Sequence, residues 1–372
     1  MKVRNIILKI LHIVNDANTG GAQTLIESLA TETEPADETH VLVLMGEGVL
    51  SSRLKSVATS VSYVGISRRT KNPLRPVRKL REIVHQRGID LVHSHLLQSD
   101  LVALISNLHI PVVSTLHTSG SHESGTTSKI VSYLVARLSR RFDEVIACSK
   151  SAQNYAVKMR YASSDRVPII PNGSKIPEFH DFSVMPQKFV SLSRWHPMKD
   201  HRTLFAAFQL VLESNPRWRL VCAGNDINSD NSELMDLASE FGIGLNTDLL
   251  GPVEDVDTLL RGAAALVISS SHGEALPMAG IEALARAVPV ITTDVGDCRS
   301  LTVNAHTLTR PRSVEDLASA MNFIASASSE EYAEIRRKSW DLASASFSAA
   351  DTAKLYRRVY KSKIRPEEKA SK

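Results

Sequence analysis

The sequence predicts an α/β protein of two parallel-sheet domains facing a central cleft. Three observations predict it. The chain has 372 residues, the length of two ordinary domains. Short apolar runs alternate with amphipathic stretches throughout, the pattern of βαβ units whose strands are buried on both faces. The alternation also restarts near the middle, after the turn signal Pro171-Asn172-Gly173.

Taken in order, the runs that read as strands in the first half are Ile10–Val14, Val41–Met45, Leu91–Val92, Pro111–Leu116 and Val145–Cys148. In the second half they are Phe189–Leu192, Leu220–Ala223, Ala265–Ile268 and Val290–Thr292. Between them lie helical periodicities such as Ser99–Leu108, Thr203–Leu212 and Val314–Ile324. The segment 174–187 holds two prolines and little periodicity. The expected division is therefore a first domain over 1–173, a linker over 174–187 and a second domain over 188–345. The helical pattern Ala349–Lys361 has no strand after it, so 346–372 is expected to return to the first domain as a helix and end in a frayed charged tail.

Composition narrows the class. A content of 43% hydrophobic and 23% charged residues is that of a globular protein with two full cores. A net charge of +4 is too small to argue for nucleic acid. Cys148, Cys222 and Cys298 have no paired spacing, which fits a reducing cytoplasm. No run reaches the ~18 apolar residues of a membrane span. Lys9 interrupts the N-terminal apolar run and no small-residue cleavage site follows, so that run reads as a first strand rather than a signal peptide.

Four constellations fall at the ends of expected strands, where ligands of open α/β sheets bind. Asn18-Thr19-Gly20-Gly21-Ala22-Gln23 opens a helix. It is either an anion cradle of glycine amides or a plain turn. Its spacing is not the dinucleotide fingerprint, and Gly46-Glu47-Gly48 lacks the third glycine. Arg194 and Lys199 flank a short loop stiffened by Pro197, and two such cations can converge on one diphosphate. Asp200 is placed to cap the next helix. Glu274 and Glu282 bracket a turn in which Pro277 reads as the first helical residue. The free helix amides and both carboxylates can then meet a ligand. His117 closes its strand, either toward the cleft or as a hydrogen-bonded structural histidine; His93 and His95 read as structural or acceptor-side. Asp255-Val256-Asp257 looks like a metal pair but opens a helix, so a cap is expected and no metal site.

In this order these residues resemble the retaining, family-4 type of GT-B glycosyltransferases, from Gly20 to about Tyr360. The strongest match is Glu274-x7-Glu282, with Ala283-Leu284-Ala285 and Val288–Gly296 after it. The resemblance implies two Rossmann-like domains facing a central cleft. It implies a nucleoside diphosphate-sugar donor, UDP- or GDP-linked, as substrate and no cofactor. By resemblance His117, Arg194, Lys199 and Glu274 are catalytic. Gly20, Gly21, Leu276, Met278 and Ala279 meet phosphate or sugar, Gly251 and Val253 the base, and Glu282 the ribose. Two departures stand out: Ala275 replaces the usual glycine after the first glutamate, and Asp226 stands where a second glycine often follows Gly224.

The expected function is metal-independent transfer of a sugar, with retention, to an acceptor hydroxyl in cell-surface polysaccharide or glycolipid synthesis. Sugar-nucleotide 2-epimerases and inverting GT-B enzymes share the architecture with other motifs. A non-catalytic sugar-nucleotide-binding partner protein is the non-enzymatic alternative. The basic stretch Arg68, Arg69, Lys71, Arg75, Arg78, Lys79, Arg81 reads as a solvated helix face with Leu74, Val77, Leu80 and Ile83 inward, or as a contact for anionic lipid. The pattern Ile130–Arg141 joins Val131, Leu134, Val135 and Leu138 to four cations. Together they suggest a glycan or lipid-linked sugar acceptor and a peripheral place on the cytoplasmic face of a membrane.

Overall fold

A computed structural model describes residues 7–18, 20–67, 72–120, 126–180 and 185–364. Arg68, Arg69 and Lys71 of the basic stretch, Thr19 of the glycine loop and the charged tail 365–372 lie outside them. The chain forms two compact units. Unit 1 is 1–117, 121–171 and 349–372; unit 2 is 118–120 and 172–348.

Unit 1 is built on strands β1 (Lys9–Val14), β2 (Glu38–Val43), β3 (Ser60–Tyr63), β4 (Leu91–His95), β5 (Val112–Leu116) and β6 (Glu144–Ala147). All pair in parallel, in the order β3-β2-β1-β4-β5-β6. Helices α1 (Gly21–Thr31), α2 (Ser51–Val57), α3 (Leu74–Arg87), α4 (Leu97–Ile105), α5 (Thr126–Leu138) and α6 (Lys150–Lys158) connect them. The strands read as unbroken apolar runs because both faces are covered. On β1, Leu11 and Ile13 enter one core, while Ile10 faces another with Leu25 of α1.

Unit 2 repeats the plan with β7 (Lys188–Leu192), β8 (Arg219–Ala223), β9 (Thr247–Leu249), β10 (Ala265–Ile268), β11 (Val290–Thr293) and β12 (Leu308–Thr309), in the parallel order β12-β11-β10-β7-β8-β9. Its helices are α7 (His201–Ser214), α8 (Ser232–Glu240), α9 (Val256–Arg261), α10 (Met278–Ala285), α11 (Val314–Ala325) and α12 (Ser329–Ser346). The expected caps form. Asp200 accepts from the Thr203 amide and Asp255 from the Thr258 amide, at 3.2 and 2.9 Å. Asp257 pairs with Arg261 and Arg286.

The segment read as a linker is anchored within unit 2. Ser174 bridges to Ser348, Trp340 donates to the Pro177 carbonyl and Arg336 to that of His180. The described part of that segment thus falls within the 172–348 stretch of unit 2. The last helix, α13 (Ala349–Lys363), belongs to unit 1. Its Tyr356 and Tyr360 join the cluster of Leu8, Ile10 and Leu25, and Arg357 pairs with Asp37 at 2.6 Å.

Candidate functional site

In unit 2 the functional side chains sit where β7, β8, β10 and β11 end. The loop after β7 carries Arg194, exposed, and Lys199, half-buried at its far end. Pro197–Lys199 form a single 3-10 turn, and His196 accepts at Nδ1 from the Met198 amide to open it. The loop after β10 is laid against this turn: the Ser271 amide donates to the Met198 carbonyl (2.8 Å) and Ser269 Oγ to that of Lys199 (2.7 Å). The stitching brings Lys199 Nζ within 2.5 Å of Glu274 Oε1, which also accepts from Ser270 Oγ at 2.6 Å. Both partners are shielded, their side chains only 17% and 8% exposed. Each charge thus has the other as counterion in a place where water solvates neither well.

Two glycines hold these loops together, each in the left-handed region. Gly224 (φ 146°) ends β8, and a Cβ there would fall 2.1 Å from the Ser193 carbonyl oxygen. Gly296 (φ 59°) follows β11, and a Cβ there would fall 2.0 Å from that of Glu274. No side chain fits at either position. Asp226, where a glycine is usual, is also left-handed (φ 62°), a conformation Asp tolerates better than most residues. Ala275 is buried, and its carbonyl accepts from the Asp297 amide at 2.9 Å.

Helix α10 starts at Met278, with Pro277 as the extended residue before it (φ −69°, ψ 125°) rather than as its first turn. The Met278 and Ala279 amides remain at the helix start, where no intrahelical carbonyl is available. The side chains of Leu276 and Met278 are buried in the core, so only their backbone is offered to a ligand. A small cavity opens here, lined by Ser193, Lys199, Ser269, Ser270, Pro277 and Ala279. Glu282 lies half-buried one turn further along α10. Gly251 is engaged on both sides, its amide donating to Ile227 and its carbonyl accepting from Gly224, at 2.6 and 2.8 Å.

In unit 1, Gly20 is the extended residue before α1 and Gly21 its first residue. Buried Gln23 folds back on Gly20 and donates to Asp16 Oδ1 at 3.0 Å. His117 lies just past β5. It belongs to a cluster that sequence reasoning left unassembled: His12, His93, His95 and His117 project from neighbouring strands onto the side covered by α13. His12 Nδ1 lies 3.0 Å from His95 Nε2, and His95 Nδ1 lies 3.1 Å from His117 Nε2. Burial lowers the basicity of all four, to about 3 for His12 and about 4 for His117, so the rings are neutral near pH 7. His12, His93 and His95 are the one group among the described residues spaced to hold a metal ion. His12 Nδ1 and both His95 nitrogens are engaged in the contacts above, and His93 bonds Tyr360 and Thr115, at 2.7 and 2.8 Å. The arrangement is a hydrogen-bond network, not a tripod around a vacant centre.

The sequence did not announce Ser270 as Glu274's partner or the histidine network. The run Ser269-Ser270-Ser271 is the available hint for the first. The alternation of His93 and His95, two residues apart on one strand face, is the hint for the second.

Two six-stranded parallel sheets in two Rossmann-like units are the architecture of the GT-B class. Residues 19–175 match Glycosyltransferase Family 4 and residues 174–339 match glycosyl transferases group 1. The chain belongs to this family. Among curated relatives, the glycogen synthase of Mycobacterium tuberculosis is 26% identical over 250 residues, covering 63% of this chain and 60% of that protein. The GDP-mannose:cellobiosyl-diphosphopolyprenol alpha-mannosyltransferase of Xanthomonas oryzae is 22% identical over 308 residues, covering 77% and 79%. Among solved structures, Anabaena HepE with UDP and glucose superposes with a TM-score of 0.80 at 20% identity, over 95% of this chain and all of that one. TarM superposes with a TM-score of 0.77 at 12% identity, over 96% and 99%.

Proposed function

We propose that the protein is a retaining glycosyltransferase that moves a sugar from a nucleoside diphosphate-sugar to a hydroxyl of a glycan or lipid-linked sugar. The observation that carries this reading is the coincidence, at one set of strand ends, of Arg194, the buried Lys199–Glu274 pair, the start of α10 and Glu282. A diphosphate meets Arg194, Lys199 and the α10 amides. These stabilise the charge on the leaving oxygen in the role a metal ion plays elsewhere. Lys199 then exchanges part of its bond to Glu274 for the phosphate, which frees Glu274 to accept from donor-sugar hydroxyls. Glu282 takes the ribose and Val253 the base. In unit 1, His117 and the Gly20-Gly21 amides keep the roles that the family resemblance implies for them. Among the described residues the site offers no nucleophile suited to a double displacement, so the acceptor attacks on the face the diphosphate leaves, its proton going to that leaving group. Relatives that bind UDP-glucose or act on a diphosphopolyprenol-linked sugar support a donor and an acceptor of these classes.

The reading includes a peripheral membrane position. On α5, Val131, Val135 and Leu138 turn toward the protein, while Ile130 (55% exposed), Tyr133 (64%) and Leu134 (38%) turn outward. With Arg137 they form an i, i+3, i+4, i+7 stripe. Residues 126–141 carry Lys129, Arg137, Arg140 and Arg141 and no carboxylate. On α3, Leu74 is not inward as expected but 70% exposed, beside exposed Arg75 and Arg78. Helix α4 packs against both α3 and α5. No described helix is long and apolar enough to cross a membrane. An apolar stripe ringed by cations suits the surface of an anionic leaflet.

The test is product stereochemistry. With an accepted donor and acceptor, NMR of the first-formed product should show the donor's anomeric configuration. An inverted product would remove the mechanism while leaving the donor site.

A further inference from the structure

His117 Nδ1 is buried and has no hydrogen-bond partner among the described residues. Leaving such a group unmatched is costly, so it calls for a ligand. Its other nitrogen is held by His95, and His95 in turn by His12, through two nitrogen–nitrogen contacts of 3.0 and 3.1 Å. His12 at the far end borders a cavity between α1, β2 and α13 that also carries Glu34, Asp37 and Arg357.

A neutral imidazole has one N–H and one lone pair, so two arrangements satisfy this chain. In the first, His12 Nδ1–H donates to His95 Nε2, His95 Nδ1–H donates to His117 Nε2, and His117 Nδ1 carries a proton. In the second, every bond is reversed: His117 Nε2–H donates to His95, His95 Nε2–H to His12, His12 carries its proton on Nε2, and His117 Nδ1 offers a lone pair. Passing from the second to the first takes up one proton at His117 Nδ1 and releases one at His12 Nε2. No ring becomes charged in either state.

We propose that His12, His95 and His117 form a proton relay between the His12 cavity and His117 Nδ1, so that His117 can present either a donor or an acceptor to a ligand hydroxyl. The burial that keeps these rings neutral favours such a shift over imidazolium formation. His93 is the contrasting member. Its ring lies 4.0 Å from that of His95, but both its nitrogens are taken by Tyr360 and Thr115, so it packs against the relay without belonging to it. His12 and His95 are thus positioning residues for His117. Assigning a substrate hydroxyl as the ligand rests on the function proposed above; the relay itself does not.

Full-length protein labelled with 15N-histidine tests this at neutral pH through long-range proton–nitrogen correlations, which report which ring nitrogen is protonated. Wild-type His117 should show both nitrogens between the protonated and unprotonated limits. His12→Phe should move them to one limit, although position 12 does not touch His117, while His93→Asn should leave them in place. Should His12→Phe fail to fold, His12→Leu serves, because it fills the site with a smaller apolar group and likewise leaves His95 Nε2 without a partner; the same shift to one limit is expected. An unchanged His117 in the His12 variant, or an equal change in His93→Asn, would overturn the relay. With a working donor, the His12 variant should lose roughly tenfold in kcat at unchanged donor KM, less than the ~10²–10⁴ of a direct general base. An unchanged kcat would deny the relay a part in turnover. Absence of turnover in wild type with every donor would instead count against the proposed function, with the nitrogen signals still deciding the relay.

Discussion

Lys199 and Glu274 neutralise one another at 2.5 Å with little access to water, and this pair decides how substitutions there should read. Removing Lys199 takes a charge-assisted contact from the leaving diphosphate, about 1.5–3 kcal/mol, and so about 10–200-fold in rate. Arg194→Ala should act similarly. Because both address one group, the double variant should lose less than the sum of the singles; near-normal kinetics in it would remove the diphosphate assignment. Lys199→Ala also removes the counterion of the shielded Glu274 carboxylate, so its thermal midpoint should fall, whereas exposed Arg194→Ala should melt like wild type. Gly296→Ala should displace the Glu274 backbone, since no Cβ fits 2.0 Å from its carbonyl oxygen. Donor binding should weaken in Gly296→Ala even though residue 296 is not expected to touch the donor. Unaltered donor KM in a folded Gly296→Ala would show that the loop has slack. At this scale the residue types were legible and their pairing was not. Arg194, Lys199, Glu274 and Glu282 stand out at strand ends because charge there has no packing role. The Lys199–Glu274 bond depends on two loops 75 residues apart being laid together, which no local pattern encodes.

Strands and helices were the most readable elements, because their burial on both faces writes itself as apolar runs. The edge strands β3, β9 and β12 escaped notice: Ser60-Val61-Ser62-Tyr63 is only half-buried and carries no such run, and Thr247–Leu249 and Leu308–Thr309 are three and two residues long. The start of α3 was misplaced for a related reason, Leu74 being 70% exposed, and the pattern left open which side of α5 meets the protein. Periodicity gives the angle between apolar residues, not which of two adjacent stripes meets the protein. The correction sharpens a prediction, since Ile130, Tyr133 and Leu134 are the residues now expected to enter a bilayer. Liposome co-sedimentation should show binding that requires anionic lipid and falls as salt rises, at about 1 kcal/mol for each engaged cation. Tyr133→Ser with Ile130→Ser should weaken it without changing the fold, because both side chains are more than half exposed. Wild-type protein left in the supernatant at low salt would assign the stripe to some other use.

Across the whole chain the buried titratable groups set the response to acid. His12, His93, His95, His117 and His201 all have folded pKa values below the ordinary 6.5, through burial. Between about pH 6.5 and 4 the unfolded chain binds protons that the folded chain refuses, so stability is lost as pH falls through that window. Asp100 opposes this. Burial raises it from 3.8 to about 7, so over nearly the same range the folded chain holds its proton more tightly. With His40, also lowered chiefly by burial, six groups against one decide the sign: the thermal midpoint should drop between pH 7 and pH 5, and a flat or rising midpoint would mean the histidines are not buried as described. The two-unit plan was legible from the restart of the strand pattern. The anchoring of 172–180 within unit 2 was not, because it rests on bonds to Trp340 and Arg336, more than 150 residues away.

The central claim is that unit 2 holds a nucleoside diphosphate-sugar through Arg194 and Lys199 without a metal ion. A panel of UDP- and GDP-sugars incubated with the full chain in excess EDTA, scored for released nucleoside diphosphate, tests it most directly. At least one donor should yield slow release with wild type, undiminished by the chelator, and little with Arg194→Ala/Lys199→Ala. Release that vanishes with EDTA and returns with one divalent cation, or that is unchanged in the double variant, would contradict it.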